Sequence, residues 1–167
     1  MDARRDSEPR PMKNPTTVER TSERELVTTR TFNAPARIVF QAWTKPDLFK
    51  RWWAPKSMGM SLLSCEMDVR AGGRYRLVFG DGAEFFGRYI EVITNSRLVW
   101  TNEEGGDAGP VTTLTFEEKG GKTLLVKHEL YLSKGALDAA GTGAAEMMDE
   151  TFAQLDELHA TLGVGRS

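Results

Sequence analysis

SLLSCEMDVRAGGRYRLVFGDGAEFFGRYIEVI, residues 61–93, is the stretch whose reading decides the fold. Leu63, Cys65, Met67 and Val69 alternate with Ser64, Glu66 and Asp68. After Ala71-Gly72-Gly73, the residues Tyr75, Leu77 and Phe79 alternate with Arg74, Arg76 and Val78. A period of two is the mark of strands with one face buried. Gly80-Asp81-Gly82 then supplies a hairpin turn, because Asp-Gly tolerates the positive φ of tight turns. The strand that follows carries Gly87, and a mid-strand glycine marks a bulge or a sharp bend.

Downstream the pattern repeats. RLVWTNEE, VTTLTFEE and TLLVKHELYL are strands separated by TNS, GGDAGP and KGGK. Hairpin-linked strands make an antiparallel meander, here of six strands. The chain then becomes helical. Ser133 caps a short turn at 134–140, and Thr142 is the expected N-cap of a long helix. Met148, Phe152, Leu155, His159 and Leu162 form one stripe of that helix, with Asp149, Glu150, Asp156 and Glu157 opposite. Gly163 fits its C-terminal stop.

Upstream, ELVTTRTFN (25–33) reads as a first strand. Pro35 suits the first helical position, where a missing N–H costs nothing. Ala36, Val39, Phe40 and Trp43 then share one helical face, which places Trp43 in the core. A second short helix is expected over 46–53. It pairs Leu48 with Trp52 and Phe49 with Trp53, a wide apolar face for two turns, and Pro55 ends it. Residues 1–23 are charged and proline-rich and read as a mobile tail, 24–163 as one domain, and 164–167 as a second tail.

The expected class is therefore α+β, a curved antiparallel sheet of about seven strands wrapped around a long C-terminal helix. With 167 residues, one domain with a real core is the simplest division. The single Cys65 excludes an intramolecular disulfide and a thiolate zinc site, and no cofactor or metal motif is visible. Net charge is −2, from 22 basic and 24 acidic residues with no basic stripe, which argues against nucleic acid. No apolar run is long enough for a membrane span, and the N-terminus lacks a secretory signal, so a cytoplasmic location is the expectation.

TRTFNAPARIVFQAWTKPDLFKRWW, CEMDVRAGGRYRLVF, FFGRYIEV, SRLVWT and ETFAQLDEL, in that order, resemble the START-like helix-grip (SRPBCC) superfamily. Within it they look most like the branch of the C-terminal domain of the activator of the heat-shock-protein-ninety ATPase. The resemblance runs from about Glu25 to Leu162 and implies a cavity between the long helix and the concave sheet. The family's D-x-R-x-G-G element falls on Asp68, Arg70, Gly72 and Gly73, read as a structural turn. Where the family carries a tryptophan before the closing helix, Met147 and Met148 stand, which implies a softer wall.

Residues expected to line that cavity are Trp53 and Met58 from the short helix and its loop, and Cys65, Met67, Tyr75, Leu77 and Phe79 from the first two meander strands. Phe86, Trp100 and His128 follow from later strands, and Met148 and Phe152 from the long helix. This holds if those strand faces point inward, which period alone does not fix. His128 is a core histidine or a polar group of the pocket, and Cys65 an inert small hydrophobe. Arg88, if inward, would need a partner such as a ligand carboxylate. Glu66 and Asp68, near Arg70, Arg74 and Arg76, read as a surface ion-pair network. Trp52 and Trp53 either both pack in the core, or one packs beside Trp43 while Trp53, at the helix end next to the 55–59 loop, faces the cavity.

The leading reading is a binding module for a small apolar or amphipathic molecule. A cyclase- or hydratase-like enzyme, using His128 and Arg88, is the alternative, and a chaperone-interacting domain the second alternative. Exposed strand edges also leave room for a homodimer.

Overall fold

A computed structural model of the chain describes residues 15–59, 61–104, 109–141 and 147–162. The elements are β1 (Thr17–Arg20), β2 (Glu25–Phe32), α1 (Ala36–Thr44), α2 (Pro46–Phe49), β3 (Leu62–Met67), β4 (Arg74–Phe79), β5 (Glu84–Ile93), β6 (Arg97–Thr101), β7 (Val111–Lys119), β8 (Lys122–Leu130), α3 (Lys134–Ala140) and α4 (Met148–Thr161). One antiparallel sheet runs β1-β2-β8-β7-β6-β5-β4-β3. This is the expected α+β architecture, with one strand more. Among the described residues no helix is long and apolar enough to cross a membrane.

The extra strand lies in the stretch expected as a tail. β1 pairs along the free edge of β2, from Thr17 opposite Thr29 to Arg20 opposite Leu26. Backbone pairing on an edge needs little apolar side chain, and Val18 packs with Leu26, Tyr131 and Leu137 in a small second core. Residues 1–14 of the expected tail, the Thr142 cap, the Gly163 stop and the tail at 164–167 lie outside the described residues.

Two bulges set which side chains face inward. On β3, Leu62 lies opposite Phe79 and Ser64 opposite Val78, so Leu63 is the extra residue, 70% exposed. Leu62 and then Cys65, Met67 and Val69 pack on the core, so Leu63 leaves the face it was assigned. On β5, Tyr89 lies opposite Trp100 and Glu91 opposite Val99, leaving Ile90 unpaired and 51% exposed. A bulge inserts one residue and turns the strand over. Inward residues are therefore odd-numbered before Ile90 and even-numbered after it: Phe85 and Tyr89, then Val92.

The second short helix is shorter than expected. α2 ends at Phe49, and the chain continues to Trp53 through turns in which Trp52 and Trp53 N–H both donate to the Phe49 carbonyl. Two glycines are required by close approach. A Cβ on Gly73 would lie 1.9 Å from the Asp68 carbonyl, and one on Gly87 2.1 Å from that of Thr101. The first confirms the Asp68–Gly73 element as a turn, closed by Asp68 N–H to Arg74 O and Gly73 N–H to Arg70 O. Ser133 caps α3 by accepting from Ala136 N–H at 3.1 Å.

The long helix is fastened to β2. Phe152 meets Phe32 edge-on at 5.2 Å, and buried Arg30 pairs with Asp156 through both nitrogens, Nη1 at 3.2 Å and Nη2 at 2.5 Å. His159 lies against Phe32 at 5.6 Å, fully buried, and its Nε2 has no partner among the described residues. Burial pushes its pKa from 6.5 down to about 4, with the Asp156 carboxylate opposing and Arg30 adding to the fall. Above pH 6.5 both folded and unfolded chains carry a neutral imidazole. As pH drops toward 4, only the unfolded chain takes the proton, so stability is lost in that window, by roughly 3 kcal/mol over its full width. Urea unfolding from pH 7 to 4.5 should show this slope, and His159→Phe should flatten it. An unchanged slope in the variant would assign the acid sensitivity to carboxylates.

Candidate functional site

All four tryptophans of the chain meet in one cluster. Trp43 of α1 lies 4.9 Å from Trp52, 5.6 Å from Trp53 and 6.0 Å from Trp100 of β6. Trp52 is fully buried and donates its indole N–H to the Ala42 carbonyl at 3.0 Å. Trp53 is half-buried and stacks on Phe49 at 4.9 Å. Gln154 of α4 holds this segment. Its Nε2 donates to Trp52 O (2.8 Å) and Ala54 O (2.9 Å), and its Oε1 accepts from Lys56 N–H (2.9 Å). Glu150 accepts from Ser57 N–H and Oγ–H, bonds that hold its carboxyl below the usual range.

Beneath the cluster lies a cavity of about 250 Å³. Trp43, Phe49 and Trp53 form its helical side. Met67, Tyr75 and Leu77 line it from β3 and β4, and Phe85, Tyr89, Leu98 and Trp100 from β5 and β6. Phe85 and Glu104 are solvent-exposed and mark the mouth. The volume is just below the roughly 300–1,000 Å³ of small-molecule sites. α4 contributes no wall: its Met148 and Phe152 are buried in the core beside the cavity.

The remaining wall is polar. Asn102, Thr112, Lys127 and Glu129 come from the ends of β6, β7 and β8. Asn102 donates to Thr112 Oγ1 (2.9 Å) and Pro110 O (2.8 Å), and Tyr75 Oη donates to Thr101 O at 2.7 Å. Burial pushes the Tyr75 and Tyr89 phenols up, so both stay neutral at ordinary pH. Lys127 and Glu129, two apart on one strand face, form an ion pair at 3.5 Å with side chains 11% and 14% exposed. Trp43 Nε1, on the opposite side, is buried without a hydrogen-bond partner among the described residues.

Of the residues named from sequence, Trp53, Met67, Tyr75, Leu77 and Trp100 line the cavity. Cys65 packs nearby, its thiol pushed up to about 11 by burial, and Phe79 is a core residue against Phe85 at 5.3 Å. The side chain of Met58 lies outside the described residues. Phe86 and Arg88 face outward, because the bulge at Ile90 inverts the face inferred for that strand. Phe86 lies with Arg74, Arg76 and Glu84, and Arg88 pairs with Glu103 at 2.9 Å. His128 also faces outward, bonded to Glu25 at 2.7 Å. Thr123 and Leu125 occupy the core face of β8, and the pleat then carries Lys127 and Glu129 inward. Both polar groups on which the enzyme reading relied therefore lie outside the cavity. Missed by sequence were Trp43, which was assigned to the core alone, Phe49, Phe85, Tyr89, Leu98 and the polar residues of the wall and mouth. An alternation of Phe85, Gly87 and Tyr89 was visible, but not its direction.

The family model described as activator of Hsp90 ATPase homolog 1-like protein matches residues 33–160. Among curated proteins, none matches the chain significantly. Solved structures are similar over nearly the whole fold. A protein from Rhodobacter sphaeroides shares 25% identity over 89% of this chain and 99% of its own, with a TM-score of 0.78. One from Nitrosomonas europaea shares 25% identity over 85% and 97%, with a TM-score of 0.73. CalU16 from Micromonospora echinospora, at 20% identity over 85% and 84% and a TM-score of 0.62, shares the fold alone.

The adjacent tryptophans should separate in denaturant unfolding. Trp52→Ala removes a fully buried ring and its hydrogen bond and should cost about 3–5 kcal/mol. Trp53→Ala opens onto existing space and should cost less than about 2 kcal/mol. Equal losses would make Trp53 a core residue and not a cavity wall.

Proposed function

This chain belongs to the family of activator of Hsp90 ATPase homolog 1-like proteins, and from that premise we propose that it binds a small apolar or amphipathic molecule in the tryptophan-walled cavity. The observation that carries this is the wall itself. Trp43, Trp53 and Trp100 surround about 250 Å³ of space that the neighbouring core side chains leave unfilled. These rings hold apolar surface in a concave space that opens at Phe85 and Glu104, and covering such surface with an apolar ligand is favourable. The helical side of the site ends in a segment held through Gln154, and that attachment gives the cavity a defined wall.

Native mass spectrometry of gently purified protein, repeated after denaturing extraction, is the test, with saturable uptake of the neutral dye prodan as its companion. The expected result is an extra mass that leaves on denaturation, or dye uptake that Trp53→Ala weakens more than it lowers stability. A clean apo mass together with no saturable dye uptake would sink the proposal.

A further inference from the structure

The polar wall carries a second inference, which rests on the binding reading above. Asn102, Thr112 and Tyr75 spend their hydrogen bonds on one another and on backbone. Lys127 and Glu129 do not. Among the described residues each head group has only the other, at 3.5 Å, although both are nearly buried. An ammonium has three donors and a carboxylate about four acceptor sites. A nearly buried pair with so much capacity left unused is expensive to keep. On the neighbouring strand Thr28, opposite Lys127 in register, keeps a buried hydroxyl with no partner among the described residues. The other polar groups of the lining are the bonded Asn102, Thr112 and Tyr75, Glu104 at the mouth and the Trp43 indole N–H on the opposite side; the rest is apolar.

We propose that the ligand is an uncharged amphipathic molecule whose polar end is a hydroxyl of the phenol or alcohol type, seated on the Lys127–Glu129 pair. One hydroxyl oxygen can accept from the ammonium and donate to the carboxylate at once, and 3.5 Å leaves both within hydrogen-bond reach. Its apolar body then lies between Trp53 and Trp100. A carboxylate ligand fits poorly. It would satisfy Lys127 but face Glu129, and Glu104 at the mouth adds a second negative charge against the single ammonium. A pure hydrocarbon fills the space and leaves the pair as it is.

Three matched probes separate these cases: 4-propylphenol, propylbenzene and 4-propylbenzoate, titrated while the indole N–H signals are followed by NMR. The phenol should bind roughly tenfold more tightly than propylbenzene, and the benzoate most weakly. Lys127→Met combined with Glu129→Leu removes both charges, so no ion is left unpaired. In that variant propylbenzene should bind at least as well as before, and the preference for phenol should fall to within about twofold. Tightest binding of the benzoate, equal binding of phenol and hydrocarbon, or a phenol preference that survives the double substitution would overturn this assignment while leaving the cavity reading standing. Failure of all three probes to shift any indole signal would overturn both.

Discussion

Ile90 has no partner across the β5–β6 ladder, and the strand turns over at that point. Before it, Phe85 and Tyr89 face the cavity; after it, Val92 packs on the core. The sheet has to curve if its inner face is to hold a helix at one end and a cavity at the other, and one inserted residue supplies that bend. Gly87 belongs to the same device. The backbone there runs so close to Thr101 that no side chain fits, and Thr101 Oγ1 accepts from Arg88 N–H on the same stretch. Leu63 repeats the arrangement on the edge strand β3. The cost in each case is an exposed aliphatic residue at the bulge.

The curved sheet has two occupants. α4 fills the end near β2 with Phe152 and Leu155, and the Arg30–Asp156 pair and His159 border that packing. The α1–α2 segment covers the other end with aromatic rings. It is only nine residues of helix followed by one turn and irregular chain, too short to hold its place through its own hydrogen bonds. Gln154 couples the two ends. Its amide reaches from α4 to three backbone groups of the tryptophan segment, so the cavity wall is positioned by the helix that fills the opposite half. A charged side chain in that place could not have both donated and accepted these bonds.

The cavity's chemistry follows from where the pleat places β8. Its inner side chains run Thr123, Leu125, Lys127, Glu129, so one strand passes from dry core to polar wall within seven residues. The outer set, with Val126 and His128, looks more apolar and is the set that composition favours for burial. The ladder overrides composition here. Phe116 lies opposite Leu125 and Thr112 opposite Glu129, and both neighbours are buried on the same side.

By itself the sequence determined the element order from β2 onward, the antiparallel meander, the turn at Asp68–Gly73 and the Met148, Phe152, Leu155 and His159 stripe of α4, because periodicity and turn chemistry are local; Leu162, expected on the same stripe, is 40% exposed beyond the helix end. Spacing placed Trp52 and Trp53 on two directions of one wide apolar face, and only the position of Trp53 at the helix end, beside the 55–59 loop, singled it out for the cavity. Tertiary structure alone decided which face of β5 and β8 turns inward, since a one-residue slip or a bulge exchanges the two faces without changing the period. That choice removed Phe86, Arg88 and His128 from the cavity and brought in Phe85, Tyr89, Lys127 and Glu129. β1 was equally out of reach, because an edge strand is held by backbone bonds to a neighbour and those leave little trace in side-chain pattern.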